Sequence, residues 1–311
     1  MTVTSKQAVR EPNFFLVGAS RAGTSSLWMH LVEHPDVFMP RRAMAEKEPS
    51  FFCEMTPRWA LAYRDRQRYL GLFADADGQK AVGEASTPYL VAPEVPGRIR
   101  ETYPDAKIII MLRNPADRAF SLYRYLCLIG GEWVSPFEKA LRVEHDRMKD
   151  ESFKLHNLLW YHLYLYYHSG LYSAQVERYL TTFPREQIHI VLFDDLQADL
   201  TGTAQGVYRF LGVDPEFKPR VAKYNESRLP FSVKLQYWLG RNIDRSAEGH
   251  IGPMRARLFM TNVKLGRYLP RPFHVNTRRR LLEAYRDDIR RTAALIERPL
   301  DGWLESNGSY A

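Results

Sequence analysis

Residues 14–27, Phe-Phe-Leu-Val-Gly-Ala-Ser-Arg-Ala-Gly-Thr-Ser-Ser-Leu, constrain this chain more than any other stretch. An apolar run ends in a loop bounded by Gly18 and Gly23, and a helical pattern opens at Thr24. Glycines let the backbone turn tightly and approach an oxyanion. The first amides of the new helix then point at that anion with the positive end of the dipole behind them. The spacing is that of a phosphate-binding loop, G-x-x-x-x-G, but Thr24-Ser25 follow where a nucleotide triphosphatase carries Lys-Ser or Lys-Thr. The cation lies inside the loop instead, as Arg21. The loop suits a phosphate-like group and lacks the lysine that serves a γ-phosphate.

A second stretch adds to this. Lys107-Ile-Ile-Ile-Met-Leu112 is a continuous apolar run of the length of a buried parallel strand. Asn114-Pro115 breaks it, and the spacing of Ala119, Leu122, Tyr123 and Leu126 predicts a helix from about residue 117. Arg113 therefore stands at the carboxyl end of a strand, where open α/β sheets bind ligands. Ser121 falls about two turns into the helix, and an Arg fork with a hydroxyl so placed suits one further phosphate.

Together the two segments resemble the PAPS-dependent sulfotransferases, whose donor is 3′-phosphoadenosine 5′-phosphosulfate. The resemblance implies that Arg21, Ala22, Gly23, Thr24, Ser25 and Ser26 hold the 5′-phosphosulfate, and that Arg113 and Ser121 hold the 3′-phosphate. Three further pieces follow in the order this family requires. Lys47-Glu-Pro-Ser-Phe-Phe52 resembles the Lys-Glu-Pro-His-Phe-Phe element of bacterial members. Gly83-Glu-Ala-Ser-Thr-Pro-Tyr-Leu90 is similar to the Glu-Lys-Ser-Pro-x-Tyr element of carbohydrate-type members. Gly170-Leu-Tyr172, Phe193-Asp-Asp-Leu196 and Phe210-Leu-Gly-Val213 match the later scaffold. The likeness spans roughly residues 13–215, with a weaker echo in a C-terminal helix ending at Trp303.

Sulfuryl transfer needs a base for the acceptor proton and cations for charge developing on the leaving phosphate and the sulfonate oxygens. The resemblance makes Glu84 the general base, and we expect it at a strand end facing the cofactor cleft. Arg21 takes the place where many members have Lys; a guanidinium clamps two oxygens but is a poor proton donor. Lys47 is the candidate second cation. The family pattern departs at Ser50, where His is usual, and at Ala85, where Lys is common. Both departures move weight onto Arg21, Lys47 and Glu84.

The predicted fold is α/β, a P-loop-like three-layer arrangement with a central parallel sheet flanked by helices. Strands are expected at 14–17, near 81–84, at 107–112 and at 188–193; helices at about 24–34, 201–211 and 276–296, with 155–182 mostly helical. Ser135-Pro-Phe-Glu138 has the form of a capping box. After a tail at 1–12, residues 13–311 read as a single domain, with 218–275 the least regular part and a candidate lid or acceptor-binding excursion.

The net charge of +8 suits an anionic ligand. Basic residues are dispersed and no zinc-finger or RNA-binding motif is present, so nucleic acid is not the expected partner. Only Cys53 and Cys127 occur, which argues against a disulfide framework. The N-terminal residues lack the apolar core of a signal peptide, and no run reaches membrane-span length. A cytoplasmic enzyme acting without a metal on a small-molecule, carbohydrate or lipid hydroxyl, releasing 3′-phosphoadenosine 5′-phosphate (PAP), is the resulting expectation. A nucleotide or nucleoside kinase of the same architecture and a non-catalytic anion-binding scaffold stay open as alternatives.

Other features read as architecture. His30-Leu-Val-Glu-His34 matches an inverted zinc-protease pattern, but Pro35 ends the helix at once, and the pair is read as a polar C-terminal turn. The aromatic stretch from Leu155 to Tyr172 is read as the core face of a long helix, with an acceptor-pocket wall as the alternative. Arg278-Arg-Arg280 is read as a solvated helix face, with contact to an anionic acceptor as the alternative.

Overall fold

The computed structural model describes residues 10–41, 47–54, 64–156, 160–220, 229–241, 253–266 and 272–305. The chain resolves into two compact units. The first comprises Met1–Glu54, Leu61–Leu112 and Arg178–Tyr224; the second comprises Met55–Ala60, Arg113–Glu177 and Asn225–Ala311.

The first unit carries a five-stranded parallel sheet: β1 (Phe14–Gly18), β2 (Val37–Phe38), β3 (Ala81–Ala85), β4 (Lys107–Leu112) and β5 (Ile188–Leu192), in the order β2-β3-β1-β4-β5. β1 is buried at all five positions, as expected of a central strand covered on both faces. Phe15 pairs with Glu84 across β1 and β3 and with Ile108 across β1 and β4. From β1 the chain moves to one side of the sheet and from β4 to the other. The carboxyl ends of these two neighbours therefore flank a topological switch point, the usual place for a ligand in an open α/β sheet. Helix Thr24–Glu33 follows β1, and helix Leu200–Leu211 follows β5 with Asp199 as its cap, the carboxylate accepting from the Gly202 amide. The expected strands and these helices stand within a few residues of their predicted bounds.

The second unit is helical. Helix Pro115–Leu128 starts directly after Arg113-Asn114. Asn114 caps it, its Oδ1 accepting from the amides of Ala116 and Asp117 at 3.1 and 3.3 Å, while its Nδ2 donates to the Trp303 carbonyl. The long helix Val275–Ile296 buries Leu281, Leu282, Tyr285, Ile289 and Ile296, the predicted face.

Two expectations need correction here. Residues 155–182 do not form one helix. Helix Glu151–His156 is followed by single turns at Tyr161–Tyr164 and His168–Gly170 before helix Tyr172–Thr182. Around the two turns, side chains satisfy part of the backbone. Glu144 accepts from the amides of Tyr167 and His168, Arg118 donates to the Tyr166 carbonyl, and the Tyr285 hydroxyl donates to the Tyr167 carbonyl. Trp160, Tyr164, Tyr166 and Tyr172 are buried, so the core reading of these aromatics holds without the helix. The second correction is the capping box. The short helix Phe137–Arg142 is capped at Pro136 with no side-chain bond, and Glu138 instead accepts from the Thr277 hydroxyl.

Of the candidate lid, 218–220, 229–241, 253–266 and 272–275 are described; the remainder lies outside the described residues. Helices Val233–Arg241 and Pro253–Gly266 stand there.

Candidate functional site

The loop after β1 takes the shape its glycines allow. Gly18 has φ 140°, and a Cβ there would lie 2.8 Å from Leu90 Cβ and 2.9 Å from the Thr87 carbonyl oxygen. Gly23 has φ 95° and Arg21, between them, φ 67°. The Ala19 amide is tied to the Met111 carbonyl at 2.6 Å, which fixes the loop to the end of β4. Gly23 caps helix Thr24–Glu33 without a side-chain bond, and the first turn holds no acidic residue. The Ser26 and Leu27 amides donate to the Gly23 carbonyl at 2.9 and 3.2 Å, so the Thr24 and Ser25 amides stand at the positive end of the helix dipole, and no carboxylate of that turn competes for them.

Lys47 converges on this loop. Its side chain is 5% exposed, and its ammonium donates to Ser25 Oγ at 2.8 Å while standing 3.6 Å from Glu48 Oε1. Glu48 accepts from the Thr87 hydroxyl at 2.9 Å through its other oxygen, and the Ser50 amide donates to Ser86 Oγ at 3.0 Å. The Lys47–Ser50 segment is in this way pinned to the segment after β3, and Lys47 is held over the loop helix. Ser50 sits at φ 53° in the left-handed region.

Glu84 departs from its expected setting. It lies near the end of β3 as predicted, but it is wholly buried. Its Oε1 accepts from the hydroxyls of Tyr69 and Tyr89 at 2.9 and 2.8 Å, and its Oε2 from Ser86 at 2.7 Å. The register that pairs it with Phe15 puts it beside a cluster in which Phe52 packs edge-on to Phe15, Tyr69 and Tyr89. Burial pushes the Glu84 carboxyl up to about 7, against the three hydroxyl donors that favour its charge. Burial and the neighbouring carboxylate push both tyrosines well above their ordinary range, so they stay protonated donors.

In the second unit, Arg113 follows the last residue of β4 directly, and its carbonyl accepts from the Tyr172 hydroxyl at 3.0 Å. Ser121 is half-buried on helix Pro115–Leu128. Arg278, expected on a solvated face, is buried: its Nε donates to Asp117 at 2.9 Å and its Nη1 to the Glu305 carbonyl. Arg279 and Arg280 are exposed as expected.

Of the zinc-like pair, His34 is held by backbone groups. His34 Nδ1 accepts from the Asp36 amide at 3.0 Å, which leaves the proton on Nε2 to donate to the Asp214 carbonyl at 2.9 Å. Both ring nitrogens are used. Burial lowers the His30 imidazole below its ordinary value, and no group of three or more potential metal ligands stands together among the described residues.

Sequence reasoning reached Lys47, Glu84 and the loop but missed the hydroxyl cage. Ser86 and Tyr89 lie within the same Gly83–Leu90 element and were open to notice. Tyr69, fifteen residues upstream of Glu84, carries no local signal at all.

Comparison with known proteins follows the same lines. A family model described as "Sulfotransferase family" matches residues 12–218. The chain is 24% identical over 315 residues to the bifunctional heparan sulfate N-deacetylase/N-sulfotransferase 4 of Mus musculus, covering 94% of this chain and 31% of that protein. It is 32% identical over 206 residues to heparan sulfate glucosamine 3-O-sulfotransferase 6 of Mus musculus, covering 66% of this chain and 53% of that one. It thus spans between about a third and about half of the length of these curated relatives. A crystal structure of a sulfotransferase from Alicyclobacillus acidocaldarius superposes with a TM-score of 0.68 at 32% identity, covering 95% of this chain and all of that one.

Proposed function

The chain belongs to the sulfotransferase family, and from that premise we propose that it transfers a sulfuryl group from PAPS to an acceptor hydroxyl. The observation that carries this reading is the convergence of Lys47 on Ser25 in the first turn of a loop helix that holds no acid there. Arg21 to Ser26 hold the 5′-phosphosulfate, and Arg113 and Ser121 hold the 3′-phosphate. These residues fit a multiply charged anion: backbone amides for fixed oxygens, guanidinium forks for phosphates and a half-exposed hydroxyl.

The acceptor oxygen forms its bond to sulfur as the bond from sulfur to the bridging phosphate oxygen breaks. PAP leaves with the negative charge, which Lys47, Arg21 and the loop amides stabilise. The proton of the acceptor passes to Glu84. A carboxyl near 7 has a proton affinity suited to that task at neutral pH, unlike an ordinary carboxylate. Because the carboxylate is enclosed, Ser86 is the cage member through which a proton can be relayed without moving a tyrosine. The step as derived is routed through side chains and backbone, with no metal ion.

The acceptor class is a carbohydrate, lipid or small-molecule hydroxyl, a class to which the heparan sulfate relatives lend support. We place the working enzyme in the cytoplasm, a setting supported by Cys53 and Cys127, both buried and neither in a disulfide. No helix of the described residues is long and apolar enough to cross a membrane. Residues 13–311 act as one catalytic domain.

Calorimetric titration with PAP, and separately with ATP and magnesium, tests the cofactor assignment. Tight PAP binding that is lost in Arg113→Ala, beside weak ATP binding, is the expected result. Preference for ATP with magnesium overturns it in favour of a kinase, and silence toward both overturns it in favour of a scaffold.

A further inference from the structure

Large exposed apolar side chains of the described residues gather in one part of the second unit. Helix Val233–Arg241 and the residues just before it expose Phe231, Leu235 and Trp238, at i, i+4 and i+7. Helix Pro253–Gly266 exposes Met254, Leu258 and Leu265, at i, i+4 and i+11, one stripe by helical periodicity, and Met260 at i+6 off that stripe. Trp238 is 60% and Met254 78% exposed, too much for side chains completing a core.

The two helices form a fixed antiparallel pair. Asn262 is buried and donates to the Ser232 carbonyl and to Gln236 Oε1, while Phe231 and Ser232 donate their amides back to it. At the other end Arg255 donates to the carbonyls of Leu239 and Trp238, and its guanidinium stands 5.2 Å from the Trp238 ring centroid. Val233, Leu239, Gln236 and Asn262 are buried, while the large apolar side chains named above stand outward.

Charge specifies the occupant. Residues 229–241 and 253–266 contain no aspartate or glutamate, whereas Lys234, Arg257 and Lys264 are exposed and Arg255 is half-buried. Asp244 and Glu248 fall in the 242–252 stretch outside the described residues. Arg257 and Lys264 fall on the same flank of the Met254–Leu265 stripe by periodicity. Exposed Trp, Leu and Met with lysine and arginine beside them, and no acid, is the composition of a helix lying in a lipid interface. Among the exposed side chains of the two helices, apolar and cationic groups predominate, with the Thr261 hydroxyl beside them.

We propose that the 233–241/253–266 helix pair docks on the surface of an anionic lipid bilayer, inserting Leu235, Trp238, Met254 and Leu258 among the headgroups while Lys234, Arg257 and Lys264 meet lipid phosphates. This holds whatever acceptor the enzyme uses and stands independently of the proposed reaction.

The test is co-sedimentation of the full chain with vesicles of phosphatidylcholine alone or mixed with phosphatidylserine. Binding to the mixed vesicles, weakened by salt, is expected. It should fall by about tenfold or more in Leu235→Ser/Trp238→Ser, because two buried apolar side chains are removed. Met254→Ser/Leu258→Ser on the second helix should do the same, with a thermal midpoint like that of the unsubstituted protein. No binding to mixed vesicles overturns the proposal, as does unchanged binding by both variants. A lipid-free dimer that both variants abolish also overturns it, since the face is then covered by a second copy.

Discussion

The Lys47 ammonium donates to the Ser25 hydroxyl at 2.8 Å, a contact between residues 22 apart that brings a buried cation to the first turn of the loop helix. Neither residue alone specifies a donor site. Together they supply charge and a hydroxyl where the leaving phosphate of the proposed reaction develops its negative charge.

Lys47→Ala should lower kcat by about a hundredfold or more, as removal of one transition-state donor does elsewhere. Steady-state kinetics beside a thermal melt checks it. A fall in kcat with an unchanged midpoint assigns the loss to chemistry, whereas an unchanged kcat removes Lys47 from the machinery.

Glu84→Gln bears on both rate and stability. The base must be ionised, so kcat/KM of the unsubstituted enzyme should rise with pH through about 7, and that limb should vanish in the variant. For stability the sign is set by the raised folded pKa. Between 4.5 and about 7 the folded state keeps a proton that the unfolded chain has lost, so stability falls as pH rises through that window, by about 3 kcal/mol from this group. Urea melts at pH 5 and pH 8 should show a smaller loss across the window in Glu84→Gln.

Gly23→Ala should destabilise the first unit. The new Cβ would stand 2.7 Å from Met111 Cε and Phe193 Cδ2 at a φ of 95° that alanine rarely adopts. A cost of about 2 kcal/mol or more is expected from strain and overpacking combined. Chemical denaturation measures it, and PAP affinity should fall with it.

Arg278→Ala should act on stability and not on the acceptor. It removes the donors that Arg278 gives to Asp117 and to the Glu305 carbonyl, and the expected loss is about 3 kcal/mol. Arg279→Ala, at an exposed position on the same helix, should stay within about 0.5 kcal/mol. Equal effects on the two melts would contradict this assignment.

His34→Ala should lower stability by about 1–3 kcal/mol through loss of two hydrogen bonds, leaving zinc content unchanged. Elemental analysis of both proteins checks the second half.

What the sequence determined by itself is local. The glycine-bounded loop, the buried strands Phe14–Gly18 and Lys107–Leu112, the Asn114-Pro115 break and the amphipathic face of Val275–Ile296 all follow from φ freedom, ring constraint and periodicity within a few residues. Tertiary structure decided what depends on distant partners. It enclosed Glu84 among Tyr69, Tyr89 and Ser86, brought Lys47 to Ser25, and buried Arg278 against Asp117. It also broke the aromatic stretch of residues 160–172 into turns, because Glu144, Arg118 and Tyr285 satisfy backbone groups that a helix would otherwise pair. A hydrogen bond between residues tens of positions apart leaves no periodic trace in the chain, so the chemistry of this site was legible in kind but not in geometry.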